Sequence, residues 1–289
     1  MPRRTKADFL SLSNSRAGGR RVLNLYHIER YPVNIVYLGL LGSLAAGMMT
    51  GVGAIPVLFG KSIPQRANDA LLGFAAGVML SASFFSLILP ALDASTERSG
   101  SEVIAAGIVV AGILLGAFAV AMMNEALPHV HFIEGPEGAS AHHLSKIWLF
   151  VIAITIHNFP EGMAVGIGFG GGDISNGMTL AIGIGLQNAP EGLAVAVALR
   201  GLGYGKWFAF LVAGATGLIE PVGGVLGAAI ISFSEPFLPW GLAFAAGAMI
   251  YIISHEIIPE THRSGHQNSA TMGLLAGLVL MLFLDVTLG

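Results

Sequence analysis

The chain contains no cysteine. Disulfides, thiolate metal sites and thiol nucleophiles are therefore excluded. Charge is scarce as well. Only 11% of residues are charged, where soluble domains carry roughly 25%. Set against 54% hydrophobic residues and a mean hydropathy of +0.74, this leaves too little polar surface for a soluble globule. The first 32 residues lack the apolar core of a cleavable signal. They are basic and polar through Arg3, Arg4, Lys6, Arg16, Arg20, Arg21 and Arg30, and read as a largely disordered segment. No basic stripe with interleaved aromatics is present, so nucleic acid is not an expected partner.

What is abundant is glycine and long apolar runs. Forty glycines suit a helix bundle in lipid, because small residues let helices approach closely. Eight runs are long enough to span a bilayer. They cover about 33–59, 70–92, 103–123, 147–169, 177–199, 207–232, 239–259 and 271–288. The expected fold is therefore an all-α polytopic membrane protein, with residues 33–289 forming one eight-helix transmembrane domain in a lipid bilayer. Most connections are short and carry breakers such as Pro64, Gly170 to Gly172 and Pro236. The exception is 124–146, a loop with His129, His131, His142 and His143.

Basic residues orient the chain. Loops after odd-numbered spans hold Lys61, Arg66, Lys146, Arg200, Lys206 and Arg263, whereas loops on the other face hold Arg98. The bias places the odd-numbered connections, including 124–146, in the cytoplasm and both termini outside. The basic segment before the first span argues for the opposite orientation; the short loops carry more weight.

Two repeats stand out. His157-Asn158-Phe159-Pro160-Glu161-Gly162-Met163-Ala164-Val165 returns thirty residues on as Gln187-Asn188-Ala189-Pro190-Glu191-Gly192-Leu193-Ala194-Val195, with six of nine positions identical. Phe74-Ala75-Ala76-Gly77-Val78-Met79 returns as Phe244-Ala245-Ala246-Gly247-Ala248-Met249. More weakly, Ala54-Ile55-Pro56-Val57 resembles Leu218-Ile219-Glu220-Pro221-Val222, with Ile55 set against Glu220. Spans 1–3 then correspond to spans 6–8, separated by an odd number of spans, so the second copy is inverted. Inverted repeats around polar, proline-broken helices point to a secondary transporter with a midplane site.

The polar residues of the spans specify the chemistry. His157 and Glu161 are four apart and share a helix face, as do Gln187 and Glu191. Asn158 and Asn188 lie one position round. Pro160 and Pro190 cannot donate to the carbonyls of Ile156 and Leu186, which is tolerable in a membrane where backbone lines a polar cavity. Glu220 adds a third acid beside Pro221; His255 and Glu256 lie in span 7, and Asp285 near the end of span 8. No Lys or Arg lies well inside a span. One bare carboxylate at the bilayer centre costs about 3 kcal/mol or more. The acids therefore require protons or metal cations as counter-charge. Histidine with carboxylates suits first-row transition metals, chiefly zinc. Met79 offers either a thioether ligand or packing. His129 and His131 are either a metal-collecting tract or solvated loop residues. His255, Glu256 and Asp285 are pathway or exit candidates. Taken singly, His157 or Asn158 could simply bond a neighbouring helix; the glutamate four residues on, repeated in the next span, points to ligation.

At His157-Asn158-x-Pro-Glu161-Gly162, Gln187-Asn188-x-Pro-Glu191-Gly192 and Glu220 the chain resembles the ZIP (Zrt/Irt-like) metal transporters, and the likeness runs from about residue 33 onward. The resemblance implies a 3+2+3 helix bundle, divalent metal uptake into the cytoplasm across a bacterial inner membrane, and a homodimer. It implies a binuclear site. The first metal falls to His157, Glu161, Gln187 and Glu191, with Met79 as an addition. The second falls to Asn158, Asn188 and Glu220, sharing Glu161 and Glu191. It also implies movement of spans 1, 4, 5 and 6 against 2, 3, 7 and 8. Family members often carry histidine where this chain has Gln187, which leaves cadmium, iron or manganese open beside zinc. Rival readings are an intramembrane metallohydrolase, for which no His-Glu-x-x-His is present, a passive metal channel, and a proton-coupled carrier of an organic solute.

Overall fold

A computed structural model describes residues 34–60, 63–126, 129–131, 135–137 and 146–288. The basic segment 1–32, and His142 and His143, lie outside the described residues. Eight helical rods follow one another: α1 (Ile35–Phe59), α2 (Gln65–Ser99), α3 (Glu102–Ala126), α4 (Lys146–Gly170), α5 (Ile174–Gly201), α6 (Lys206–Phe233), α7 (Leu238–His262) and α8 (Gln267–Leu288). Among the described residues, seven are long and apolar enough to cross a membrane. The eighth, α4, is an apolar helix of 25 residues that carries His157, Asn158, Pro160 and Glu161. Between α3 and α4, strands β1 (His129–His131) and β2 (Gly135–Glu137) pair antiparallel, His129 opposite Glu137. The chain is thus an α-helical polytopic membrane protein with one small hairpin in its longest connection.

Helix ends follow capping rather than apolarity. The Asn34 side chain accepts the N–H groups of Val36 and Tyr37 and starts α1. Asp173 does the same for α5 through the N–H of Asn176, 3.1 Å away. α2 runs well past the apolar run 70–92 at both ends, because polar Gln65 to Asp69 and Asp93 to Ser99 continue the backbone ladder outside the apolar zone. α2 and α7 each contain a π-helical segment, Ser83–Ile88 and Ile253–Ile257. Pro90 and Pro259 follow them. Neither can donate to the carbonyl four residues back, and a widened turn absorbs that break.

Glycines set the helix register. A Cβ on Gly77 would overlap the carbonyl oxygen of Leu274 on α8, and one on Gly247 would overlap that of Ile113 on α3. Gly277 meets the carbonyl of Phe74, and Gly116 that of Phe244. The α2–α8 and α7–α3 contacts are therefore the same contact made twice. Gly53 meets the carbonyl of Ala189 as Gly223 meets that of Phe159; Gly192 meets Thr50 as Gly162 meets Glu220; Gly47 and Gly217 meet each other. One shift of 170 residues relates α1 to α6 and α2 to α7 in every case. This corrects the weaker sequence alignment. Thr50, not Ile55, is the counterpart of Glu220; the Ile-Pro match was a local coincidence, since backbone approach at Gly53 and Gly223 fixes the register and not the prolines.

In packing, α1, α4, α5 and α6 contact one another, as do α2, α3, α7 and α8. The two sets meet mainly through α2 with α5 and α4 with α7.

Candidate metal centre

The turn Gly171-Gly172-Asp173 folds α4 back on α5, with Gly172 at φ 77°, a conformation that favours glycine. This makes the two copies of the repeated phrase antiparallel neighbours. The glycine after each acid then admits a third and fourth helix. Gly162 lies against the backbone of Glu220 on α6, and Gly192 against that of Thr50 on α1. A side chain at either position would hold those helices away. The Glu-Gly order of the motif is thus what brings Glu220 beside Glu161.

His157, Asn158, Glu161, Gln187, Asn188, Glu191 and Glu220 are all buried, none more than 3% exposed. The Gln187 amide Nε2 donates to Glu161 Oε1 at 2.6 Å. Asn188 Nδ2 donates to Glu220 Oε1 at 2.7 Å and to the carbonyl of Ala46 at 2.9 Å. His157 Nε2 lies 2.6 Å from Glu256 Oε2. Asn124 Nδ2, at the end of α3, donates to Glu256 Oε1 at 3.0 Å. Glu161, Glu191 and Glu220 stand close enough to repel one another, and His157 is within electrostatic reach of Glu191.

These bonds leave acceptors unanswered. Among the described residues, Asn158 Oδ1, Glu161 Oε2, Gln187 Oε1, Asn188 Oδ1, both oxygens of Glu191 and Glu220 Oε2 are buried without a hydrogen-bond partner. A buried unpaired polar atom costs about 1–3 kcal/mol, more when charged. Among the described residues no Lys or Arg forms an ion pair with the three acids. Oxygens crowded together without donors are what a cation satisfies. The donors are nevertheless not gathered as a tight His/Asp/Glu triad among the described residues. His157 is turned to Glu256, while Glu161 and Glu220 each accept an amide through one oxygen and leave the other unpaired.

Comparison with known proteins decides the family. The ZIP zinc transporter family model matches residues 134–285, which include every donor above except those on α1 and α3. The chain is 45% identical to the zinc transporter GufA of Myxococcus xanthus, over 87% of this chain and 99% of that protein. It is 47% identical to the zinc transporter ZIPB of Bordetella bronchiseptica, over 89% and 84%. It is 35% identical to the human zinc transporter ZIP11, over 88% and 98%.

The chain belongs to the ZIP family. Membership places it among transporters rather than enzymes, and the metallohydrolase reading falls away.

The remaining sequence candidates divide within this ZIP fold. Met79 is fully buried and packs in the apolar core. His255 packs against Tyr251 with ring centroids 5.0 Å apart and the rings tilted by 37°. Glu256, carried on the π-helical segment of α7, reaches the centre and holds His157. Asp285 accepts from Ser86 Oγ at 2.6 Å, at the other end of the bundle's repeat. Ser86 corresponds to Glu256 under the 170-residue shift. Asp285 corresponds to Asn124 under the shift that relates Ile113 to Leu274. The Ser86–Asp285 and Glu256–Asn124 pairs are therefore counterparts with the acid exchanged between helices. His129 and His131 lie on β1, away from the repeated phrase in sequence. Sequence reasoning missed Asn124, Ser86 and Thr50. For Asn124 the one available signal was an amide directly ahead of Glu125 at the close of an otherwise apolar span.

Proposed function

We propose that this chain carries a divalent transition metal, zinc first, into the cytoplasm by alternating access. The observation that supports the reading best is the set of buried, partnerless oxygens around Glu161, Glu191 and Glu220 beside His157. Soft thiolates are absent, so binding is weak enough for release. The relatives' names add zinc as the cargo. Cadmium, iron and manganese are weaker alternatives.

The path runs from Asp285 and Ser86 at the outer end to Glu256 and Asn124 at the inner end. A dehydrated metal enters between α4 and α5. His157 exchanges Glu256 for the metal, and Glu161 and Glu220 bind it through their unpaired oxygens. His157, Glu161, Gln187 and Glu191 hold the first ion; Asn158, Asn188 and Glu220 hold a second, with Glu161 and Glu191 bridging. The set α1, α4, α5 and α6 then shifts against the other four helices. Glu256, His255 and the hairpin histidines His129 and His131 receive the ion on exit. The transport domain spans 33–289 in the inner membrane, with both termini outside and the 124–146 loop in the cytoplasm.

Uptake into proteoliposomes across a panel of divalent ions, with internal pH recorded, tests this. Saturable zinc uptake is expected, abolished by His157→Ala and by Glu191→Ala in chains that remain folded. Normal zinc uptake by both variants would contradict the site. Uptake that does not saturate would favour a channel.

A further inference from the structure

We propose that the Thr50 hydroxyl is an oxygen donor to the transported cation, on the Asn158 side of the site, where the internal repeat places the counterpart of Glu220. The inference rests on the transport reading above.

Two independent observations carry it. The first is position. The carbonyl of Thr50 lies against Gly192, and the carbonyl of Glu220 against Gly162. Those glycines immediately follow Glu191 and Glu161. The side chains correspond too. A Cβ on Gly217 would stand 2.7 Å from Thr50 Oγ1, and one on Gly47 would stand 3.3 Å from Glu220 Oε1. Thr50 thus takes on α1 the place in the repeat that Glu220 takes on α6.

The second observation is an unmet hydroxyl. Thr50 is fully buried, and its Oγ1 has no hydrogen-bond partner. A helical threonine ordinarily bonds back to the carbonyl four residues earlier, here Ala46. That carbonyl instead receives Asn188 Nδ2. Asn188 also donates to Glu220. Asn158, the repeat counterpart of Asn188, has neither amide atom paired. The Asn188–Glu220 half is joined by a hydrogen bond. The Asn158–Thr50 half holds its donors free.

The chemistry explains the asymmetry. A carboxylate at position 50 would raise the acid count from three to four around the same ion, binding it too tightly to release. A hydroxyl supplies an oxygen lone pair without charge. It completes the ligand sphere while leaving three acids, enough to neutralise one divalent ion and half the charge of a second.

The test uses the full chain and Zn2+ as the probe. Thr50→Val keeps the shape and removes the oxygen; Thr50→Ser keeps the oxygen and removes the methyl group. For Thr50→Val, the zinc dissociation constant in detergent and the KM of proteoliposome uptake should both rise about tenfold, the worth of one polar ligand. X-ray absorption of the zinc-loaded chain should lose one light-atom ligand. Thr50→Ser should stay within about twofold of the parent. A parental dissociation constant and ligand number in Thr50→Val would overturn the assignment, and so would equal impairment of both variants, which would mark a packing role. Absence of zinc uptake by the parent chain would instead refute the transport reading itself.

Discussion

His157 on α4 and Glu256 on α7 meet at 2.6 Å between imidazole Nε2 and carboxylate Oε2. The contact joins the helix that carries the repeated phrase to the helix set on the other side of the bundle. In the proposed site it also occupies a nitrogen that the metal would need, since a ligating histidine must offer a free lone pair. On that reading Glu256 competes with the metal for His157 and links cargo binding to contact between the two helix sets. Replacing Glu256 by Gln weakens the competitor. Zinc should bind Glu256→Gln about threefold tighter or more, the net worth of one hydrogen bond, while uptake slows because the proposed inner end loses a carboxylate. Calorimetric titration beside initial uptake rates checks both. Weaker zinc binding in the variant would instead make Glu256 a ligand of the bound ion.

Gly162 and Gly192 are predicted to be intolerant of any side chain. A Cβ on either overlaps a carbonyl oxygen of the facing helix, Glu220 or Thr50. Backbone cannot yield as a flexible side chain does, and overpacking costs about 1–3 kcal/mol. Gly162→Ala and Gly192→Ala should lower the thermal midpoint and abolish uptake by pushing α6 or α1 off the site. Gly201→Ala, whose new Cβ meets nothing within 4 Å, should change neither. Thermal unfolding in detergent measures all three.

Much of this arrangement was legible in the residues. Apolar length gave eight spans, because a segment in lipid must be helical and about as long as the bilayer is thick. The doubled phrase gave His157, Glu161, Gln187 and Glu191, since helical spacing fixes a shared face. The rest was hidden for identifiable reasons. Glu256 turns to His157 from a π-helical segment, and the ordinary 3.6-residue period does not describe its direction. Thr50 was invisible beside Glu220 because the residues differ in type, and their equivalence is expressed in glycine contacts with carbonyl groups. Asn124 and Ser86 each pair with an acid more than a hundred residues away. The polar extensions of α2 were lost because apolarity marks the lipid zone and not the helix.

Gln187 donates to Glu161 through Nε2 and leaves Oε1 unpartnered. It therefore offers an oxygen where its repeat counterpart, His157, offers a nitrogen. Imidazole favours zinc over manganese, in keeping with ligand softness and the stability order of divalent metals. Gln187→His should raise the ratio of zinc to manganese uptake about fivefold or more, close to the 1 kcal/mol scale of a single polar contact. Competition between the two ions in proteoliposomes reads that ratio directly. An unchanged ratio would remove Gln187 from the residues that set ion preference.

Asp285 accepts from Ser86 at the position that the repeat equates with Asn124 and Glu256. On the proposed pathway the two pairs stand at opposite ends, each with a single acid. An acid at the outer end concentrates cations by local field without holding the ion at the centre. Asp285→Asn should therefore raise the KM for zinc several-fold, about 1 kcal/mol of lost attraction for one partly screened charge, while the maximal rate and the zinc affinity of the central site stay at parental values. Ser86→Ala, which keeps the acid and removes its donor, should leave KM within about twofold. The split between KM and maximal rate is the decisive measurement. A fall in maximal rate with KM unchanged would place Asp285 in the moving parts of the carrier and not at its entrance.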